Sequence, residues 1–128
     1  MFGSAPLHPV LPASDLERAK RWYSDKLGLE PVEEDEYGGA TYETGGGTFL
    51  VYTSEFAGTN KATAAGFRVD DFDTAVAELR ANGVVFEDVD FGELGVSVDG
   101  VISTPDGKDK AAWFKDSEGN ILSLSTIA

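Results

Sequence analysis

A hydrophobic stripe with helical spacing lies near the start of the chain. Its members recur three and four residues apart: Leu16, Ala19, Tyr23 and Leu27, with Trp22 beside them. Apolar residues at this spacing lie along one face of an α-helix. Ser14 or Asp15 is placed to cap its first turn, and Gly28 is a residue type at which helices commonly end. The pattern predicts an amphipathic helix between the cap and Gly28.

The same order of patterns recurs later in the chain. Asp70 or Asp71 precedes a second stripe at helical spacing, formed by Phe72, Ala75, Val76 and Leu79, and Asn82-Gly83 follows it. A shift of 56 residues lays Ser14–Ala19 on Asp70–Ala75. Such self-similarity at the level of pattern indicates an internal repeat. We therefore expect one domain over residues 1–128, built from pseudo-repeats of about 1–56 and 60–128.

Short alternating or apolar segments surround both helices and predict strands. They are Leu7–Leu11, Glu30–Glu36, Ala40–Glu43 and Thr48–Thr53 in the first half, and Ala62–Val69, Val84–Asp88, Gly95–Thr104, Ala111–Lys115 and Asn120–Thr126 in the second. Each half thus shows the order strand–helix–strand–strand–strand, with Val84–Asp88 as an additional extended segment in the second half. The order predicts an α+β fold of two βαβββ modules that form a curved mixed sheet around a cavity, with the helices on the outer face.

Composition narrows the possible partners. The formal net charge of −13 disfavours nucleic acid as a partner and would attract a cationic ligand. The chain has no cysteine, so disulfides and thiolate metal sites are ruled out. No apolar run approaches the roughly 20 residues of a membrane span, and no targeting signal is recognisable. We expect a soluble, cytoplasmic protein with no membrane or nucleic-acid partner.

Two motifs carry a family resemblance. His8 is followed seven residues later by Asp15 and then by "LERAKRWYSDKLGLEP", and "AAWFKDSEGNILSLS" lies at Ala111–Ser125. Together they resemble the vicinal oxygen chelate superfamily, which includes glyoxalase I, bleomycin-resistance proteins, fosfomycin-resistance enzymes and extradiol dioxygenases. The resemblance covers essentially the whole chain. It implies the two-module fold and a homodimer, for which Gly47–Thr53 and Asn120–Thr126 are candidate contact regions.

The resemblance also implies four positions that hold a divalent metal in metal-dependent members. In this sequence they are occupied by His8, Val51, Ala64 and Ser123. Zinc and iron sites need several imidazole or carboxylate ligands, which this set does not supply. We therefore expect vestigial ligand positions, no metal, no other cofactor and no assigned catalytic residue.

Without a metal, the space around these four positions is predicted to bind a small molecule. Strand alternation places Phe49 beside Val51, and the position of Trp113 resembles that of a substrate-contacting tyrosine in resistance enzymes of the family. Trp113 would form a stacking wall or, alternatively, a core residue. Tyr37 and Tyr42 would lie at the rim or simply reflect the strand preference of aromatics. The predicted ligand-binding residues are thus His8, Tyr37, Tyr42, Phe49, Val51, Ala64, Trp113 and Ser123.

Three functions follow from this interpretation. The first is a metal-independent binding protein of the glyoxalase/bleomycin-resistance type that sequesters a cationic or planar aromatic compound, as in antibiotic resistance. The second is a metal-dependent lyase, isomerase or dioxygenase of the kind of glyoxalase I. The third is metal-free acid–base catalysis that uses His8 or a nearby carboxylate.

Overall fold

The helices begin at aspartate caps, as their sequence patterns predict. The computed structural model describes residues 1–127. Helix α1 spans Leu16–Leu27, and the Asp15 side chain accepts a hydrogen bond from the backbone N–H of Arg18. Helix α2 spans Phe72–Ala81 and is capped in the same way by Asp71. The two caps are separated by the 56 residues of the predicted repeat. Over residues 1–127, no helix is long and apolar enough to cross a membrane.

The strands form two four-stranded mixed sheets. In chain order they are β1 (Val10–Ala13), β2 (Glu33–Glu34), β3 (Gly39–Thr44), β4 (Gly47–Thr53), β5 (Thr63–Arg68), β6 (Val101–Ser103), β7 (Lys110–Lys115) and β8 (Ile121–Ser125). Sheet 1 has the order β1-β4-β3-β2 and sheet 2 the equivalent order β5-β8-β7-β6. In each, the first and last strands of the module pair in parallel. The predicted α+β fold of two βαβββ modules is confirmed, with the strands divided between two open sheets.

Several predicted strands are shorter in the structure. β1 begins at Val10, since Pro9 has no N–H to donate to a neighbouring strand. Of the region 95–104 only β6 is a full strand, because Gly95 and Gly100 adopt positive φ angles of 127° and 77° that break an extended chain. The predicted strand at 84–88 is an irregular segment that bonds to β7 through the N–H of Glu87 and the carbonyl of Trp113.

One hydrophobic core lies between the helices and one face of each sheet. Its sheet members are Leu11, Ala13, Ala40, Tyr42, Phe49 and Val51 from sheet 1, and Ala112, Phe114, Leu122 and Leu124 from sheet 2. Helix α1 packs against both sheets, because Tyr23 contacts Phe49 at 5.6 Å between ring centroids and Trp22 stacks on Phe114 at 6.2 Å. The helices thus occupy one face of the sheets and leave the other face open.

A buried carboxylate joins the two modules. Glu118, in the turn between β7 and β8, has a fully buried side chain that accepts hydrogen bonds from the Asp15 backbone N–H at 2.9 Å and from Arg18 Nε at 2.8 Å. Burial opposes ionisation of Glu118, but the bonds from Arg18, Asp15 and Ser117 outweigh it and lower its pKa to about 2. The N-terminus of α1 is thereby held on the second module.

The two helices also meet through equivalent residues. Lys26 Nζ donates to the carbonyl of Asn82 at 2.6 Å, and Asn82 Nδ2 donates to the carbonyl of Lys26 at 3.0 Å. These residues are 56 positions apart, which is the repeat length. Reciprocal bonding between equivalent positions places an approximate two-fold axis between the C-terminal ends of α1 and α2.

We predict that Glu118→Gln lowers the free energy of unfolding by about 2–3 kcal/mol at pH 7, because Arg18 and the α1 N-terminus lose a charged acceptor. The folded pKa of Glu118, about 2, lies below its unfolded value of 4.5. Its stabilisation is therefore complete above pH 4.5 and disappears as the pH falls towards 2. Urea unfolding at pH 7 and pH 3 should show a difference between wild type and variant that shrinks in acid.

The control for this prediction is Glu43→Gln, which removes an exposed carboxylate from β3. It should leave unfolding nearly unchanged at both pH values. A Glu118→Gln variant as stable as wild type at pH 7 would show that the carboxylate does not hold the modules together.

Candidate functional site

Trp113 forms the wall of a groove on the open face of sheet 2. Its neighbours in β7, Ala112 and Phe114, are buried against the helices, so strand alternation turns the indole to the other face. The indole N–H donates to Thr63 Oγ1 at 3.0 Å, and the Phe91 ring meets the indole edge-on at 5.5 Å. The groove has a volume of about 530 Å³, which lies within the range of small-molecule sites.

Charged side chains stand at the edge of this groove. Lys61, just before β5, and Lys115, at the end of β7, both line it, as does Glu87. Lys115 Nζ lies 3.7 Å from Glu87 Oε1, and both side chains are about half exposed. An aromatic wall with ammonium groups at the edge of the groove can stack a planar ring and bind a polar substituent.

The register between strands identifies the positions equivalent to the predicted metal ligands. Val10 lies opposite Leu50 in sheet 1, and Gly66 lies opposite Ser123 in sheet 2. Since residues 10 and 66 are one repeat apart, Leu50 is the equivalent of Ser123. Val51, predicted at that position, is instead fully buried on the helix side of β4. The predicted position is therefore one residue too far along β4. A shift of one residue in a strand moves the side chain to the other face of the sheet.

The other three predicted ligand positions lie as follows. His8 is exposed and precedes β1. Ala64 is half-buried at an irregularity in β5, between the paired residues Thr63 and Ala65. Ser123 is half-buried beside Trp113, and its Oγ lies only 2.6 Å from the point where a Cβ of residue 66 would stand. Glycine at position 66 therefore leaves room for the hydroxyl of Ser123.

This set of donors does not fit a divalent metal. His8 contributes one imidazole and Ser123 one hydroxyl, whereas neither Leu50 nor Ala64 has a donor atom. Within residues 1–127, no group of three or more His, Asp or Glu side chains is arranged to hold an ion. Zinc and iron centres require three or more strong ligands, so no reaction step can be derived through such an ion here.

The predicted aromatic residues separate into different environments. Tyr42 is fully buried and stacks on Phe49 at 5.0 Å, so it belongs to the core and not to a cavity rim as predicted. Burial raises the pKa of Tyr42 to about 12. Tyr37 is 86% exposed in the turn between β2 and β3. Phe49 lines a smaller crevice of about 210 Å³ between the two sheets, together with Phe67.

Several groove residues are absent from the predicted ligand-binding set. Lys115 shares the face of Trp113 by simple alternation along β7. Phe91, Glu87 and Lys61 lie outside regular strands, where no periodicity fixes the direction of a side chain. Their place in the groove follows only from the path of the segments around β7.

Comparison with known proteins supports the two-module architecture. The model of the Glyoxalase/Bleomycin resistance protein/Dioxygenase superfamily matches residues 5–124. No curated protein is significantly similar to the chain in sequence. Among solved structures, a bleomycin resistance determinant encoded on the transposon Tn5 is similar over 95% of this chain and 97% of its own, with 18% identity and a TM-score of 0.68.

Two further structures show the range of relatives. Lactoylglutathione lyase from Agrobacterium tumefaciens has 18% identity and a TM-score of 0.67, and the similarity covers 98% of this chain and 95% of that one. The fosfomycin resistance protein FosX from Listeria monocytogenes, complexed with Mn(II) and a dihydroxypropylphosphonic acid, has 12% identity and a TM-score of 0.66 over 98% and 91%. At these identities the similarity establishes the fold alone.

Proposed function

The chain belongs to the glyoxalase/bleomycin resistance protein/dioxygenase superfamily, and on this premise we propose that it binds a planar small molecule without a metal. The proposal follows the resistance-protein type of relative and not the lyase type. Its ligand would stack on Trp113 in the groove of sheet 2 and be sequestered unchanged. The observation that carries the proposal is the partly exposed indole, held in place by Thr63 and Phe91 in a groove of ligand size.

The hydrogen bond between Trp113 and Thr63 supports a binding role for the ring. A tryptophan packed only for stability would be covered on both faces by the core, as Phe114 is on the other side of β7. Here the indole N–H is satisfied within the protein, so the ring can offer an apolar face without leaving a buried donor unpaired. The site is thus prepared for stacking before a ligand arrives.

We predict that Trp113→Ala weakens binding of the uncharged compound 2-naphthamide by about five- to tenfold, because the stacking wall is lost. Isothermal titration calorimetry measures the affinity, and circular dichroism checks that the fold remains. Phe56→Ala is the matched control, since Phe56 is an exposed aromatic residue that does not line the groove. Equal affinities for wild type and Trp113→Ala would remove the support for this function.

Metal independence gives a second prediction. Protein purified without a chelator should contain far less than one equivalent of zinc, nickel, manganese or iron. The four equivalent positions supply only one imidazole and one hydroxyl as metal ligands. Treatment with EDTA should change neither the melting temperature nor the affinity for 2-naphthamide. Elemental analysis by mass spectrometry decides the point. A stoichiometric metal that is lost in His8→Ala would instead favour a metal-dependent enzyme.

We also propose a homodimer, supported by an apolar arm in the second module. The arm consists of Leu94, Val96 and Val98, whose side chains are 87%, 57% and 74% exposed. Exposed apolar residues this close together along the chain favour an interaction surface. A second copy of the chain would cover this arm and exclude water from the apolar surface.

Sedimentation equilibrium should therefore give a mass twice the 13.6 kDa of the chain. The double variant Leu94→Lys/Val96→Lys should shift the protein to monomer, because two charges would be buried in the interface. Val85→Lys, which changes an 81% exposed residue outside the arm, should remain dimeric. A wild-type protein that is monomeric at 50–100 μM, about the range of a weak dimer, would refute the proposal.

A further inference from the structure

We propose that the groove at Trp113 selects planar ligands that carry an anionic group, a carboxylate or a similar oxyanion, bound between Lys61 and Lys115. The inference rests on the proposed function, since it specifies the ligand class of the same groove. It runs against the expectation of a cationic ligand drawn from the net charge of −13. The charge of the groove is opposite in sign to the net charge of the protein. The distance over which each charge acts therefore decides which sign of ligand is preferred.

The charged side chains that line the groove are mostly positive. Lys61 and Lys115 stand against a single carboxylate, that of Glu87. The ion pair between Lys115 and Glu87 is long, at 3.7 Å, and both partners are about half exposed. Among residues 1–127, no carboxylate forms an ion pair with Lys61 within 4.0 Å. At least one ammonium group is therefore free to receive an anion.

The acidic residues next to Glu87 do not offset this charge. Along the segment 87–91, the groove-lining residues Glu87, Val89 and Phe91 alternate with Asp88 and Asp90. Asp88 lines a different cavity, and Asp90 accepts a hydrogen bond from the Gly92 backbone N–H at 2.8 Å. Of this acidic segment, only the carboxylate of Glu87 thus lines the groove.

The lysines, and not the indole of Trp113, supply the hydrogen-bond donors for the polar part of a ligand. The indole N–H of Trp113 is already donated to Thr63, so the ring presents its face and no free donor. An oxyanion on a stacked ring needs donors at the margin of the groove, where the ammonium groups stand. A cationic substituent at the same place would meet like charges.

Screening decides between the local and the overall charge. At physiological ionic strength, exposed charges more than about 8 Å apart are largely screened from one another. The acidic residues spread over the surface therefore slow the approach of an anion, but they contribute little to its energy once bound. The side chains in contact with the ligand determine its preferred sign.

Three compounds with the same ring test this inference: 2-naphthoate, 2-naphthamide and 2-naphthylmethylammonium. In a Trp22→Phe background, Trp113 is the only tryptophan, and quenching of its fluorescence reports binding at the groove. We expect 2-naphthoate to bind about tenfold more tightly than the amide, and the ammonium compound to bind most weakly. Calorimetry on the unmodified chain measures the same order if Trp22→Phe disturbs the core.

Substitutions of the charged residues test whether the preference for an anion arises in the groove. Lys61→Gln and Lys115→Gln should each weaken 2-naphthoate by about two- to fivefold and leave 2-naphthamide unchanged, and Glu87→Gln should strengthen 2-naphthoate. Lys108→Gln is the matched control, because it removes the same charge from an exposed turn outside the groove. An effect of Lys108→Gln as large as that of Lys61→Gln would show a general field and overturn the assignment to the groove.

The outcomes separate this inference from the function on which it rests. Equal affinities for the three compounds, or tightest binding of the ammonium compound, overturn the preference for an anion while stacking on Trp113 stands. If none of the three compounds binds, or if Trp113→Ala leaves the affinity for all of them unchanged, both proposals fail. Tighter binding of 2-naphthoate that is lost in the lysine variants is the result that supports the inference.

Discussion

The buried charge of Glu118 is the constraint on which the joining of the two modules depends. A carboxylate removed from water must find donors within the protein, and its donors lie at the start of α1, in Arg18 and the Asp15 N–H. These hydrogen bonds therefore fix the position of the turn between β7 and β8 relative to the first module. Asp116 acts in the same turn by accepting a hydrogen bond from the buried Tyr23 hydroxyl at 2.7 Å. These polar contacts hold the modules in register without a disulfide.

That constraint also orients the candidate site. The turn is continuous with β7, and Trp22 of α1 stacks on Phe114, which fixes the helix-facing side of that strand. The residue before Phe114 must point to the opposite face, because side chains alternate along a strand. Trp113 is consequently presented at the open face by the packing of the core, and Thr63 from β5 sets the orientation of its ring.

Much of this arrangement could be predicted from the sequence, and the failures have a common physical origin. The helices and their caps depend on local patterns, and the structure confirms them at Asp15 and Asp71. The position of Val51 depended on counting along a strand that is apolar on both faces, where a shift of one residue leaves no contradiction in the pattern. The groove residues Glu87 and Phe91 lie in an irregular segment, whose path is set by tertiary contacts and not by periodicity.

A groove can form within one module even though the four equivalent positions of the two modules supply too few metal donors. Leu50 and Ser123 occupy equivalent places, opposite Val10 and Gly66, yet one is a hydrocarbon and the other a hydroxyl. Zinc and iron centres need three or more strong ligands, which these positions do not supply. Stacking on Trp113 needs only the open face of sheet 2 and the segment beside it. The duplication thus supplies the geometry twice, while the chemistry proposed for the site resides in the second module alone.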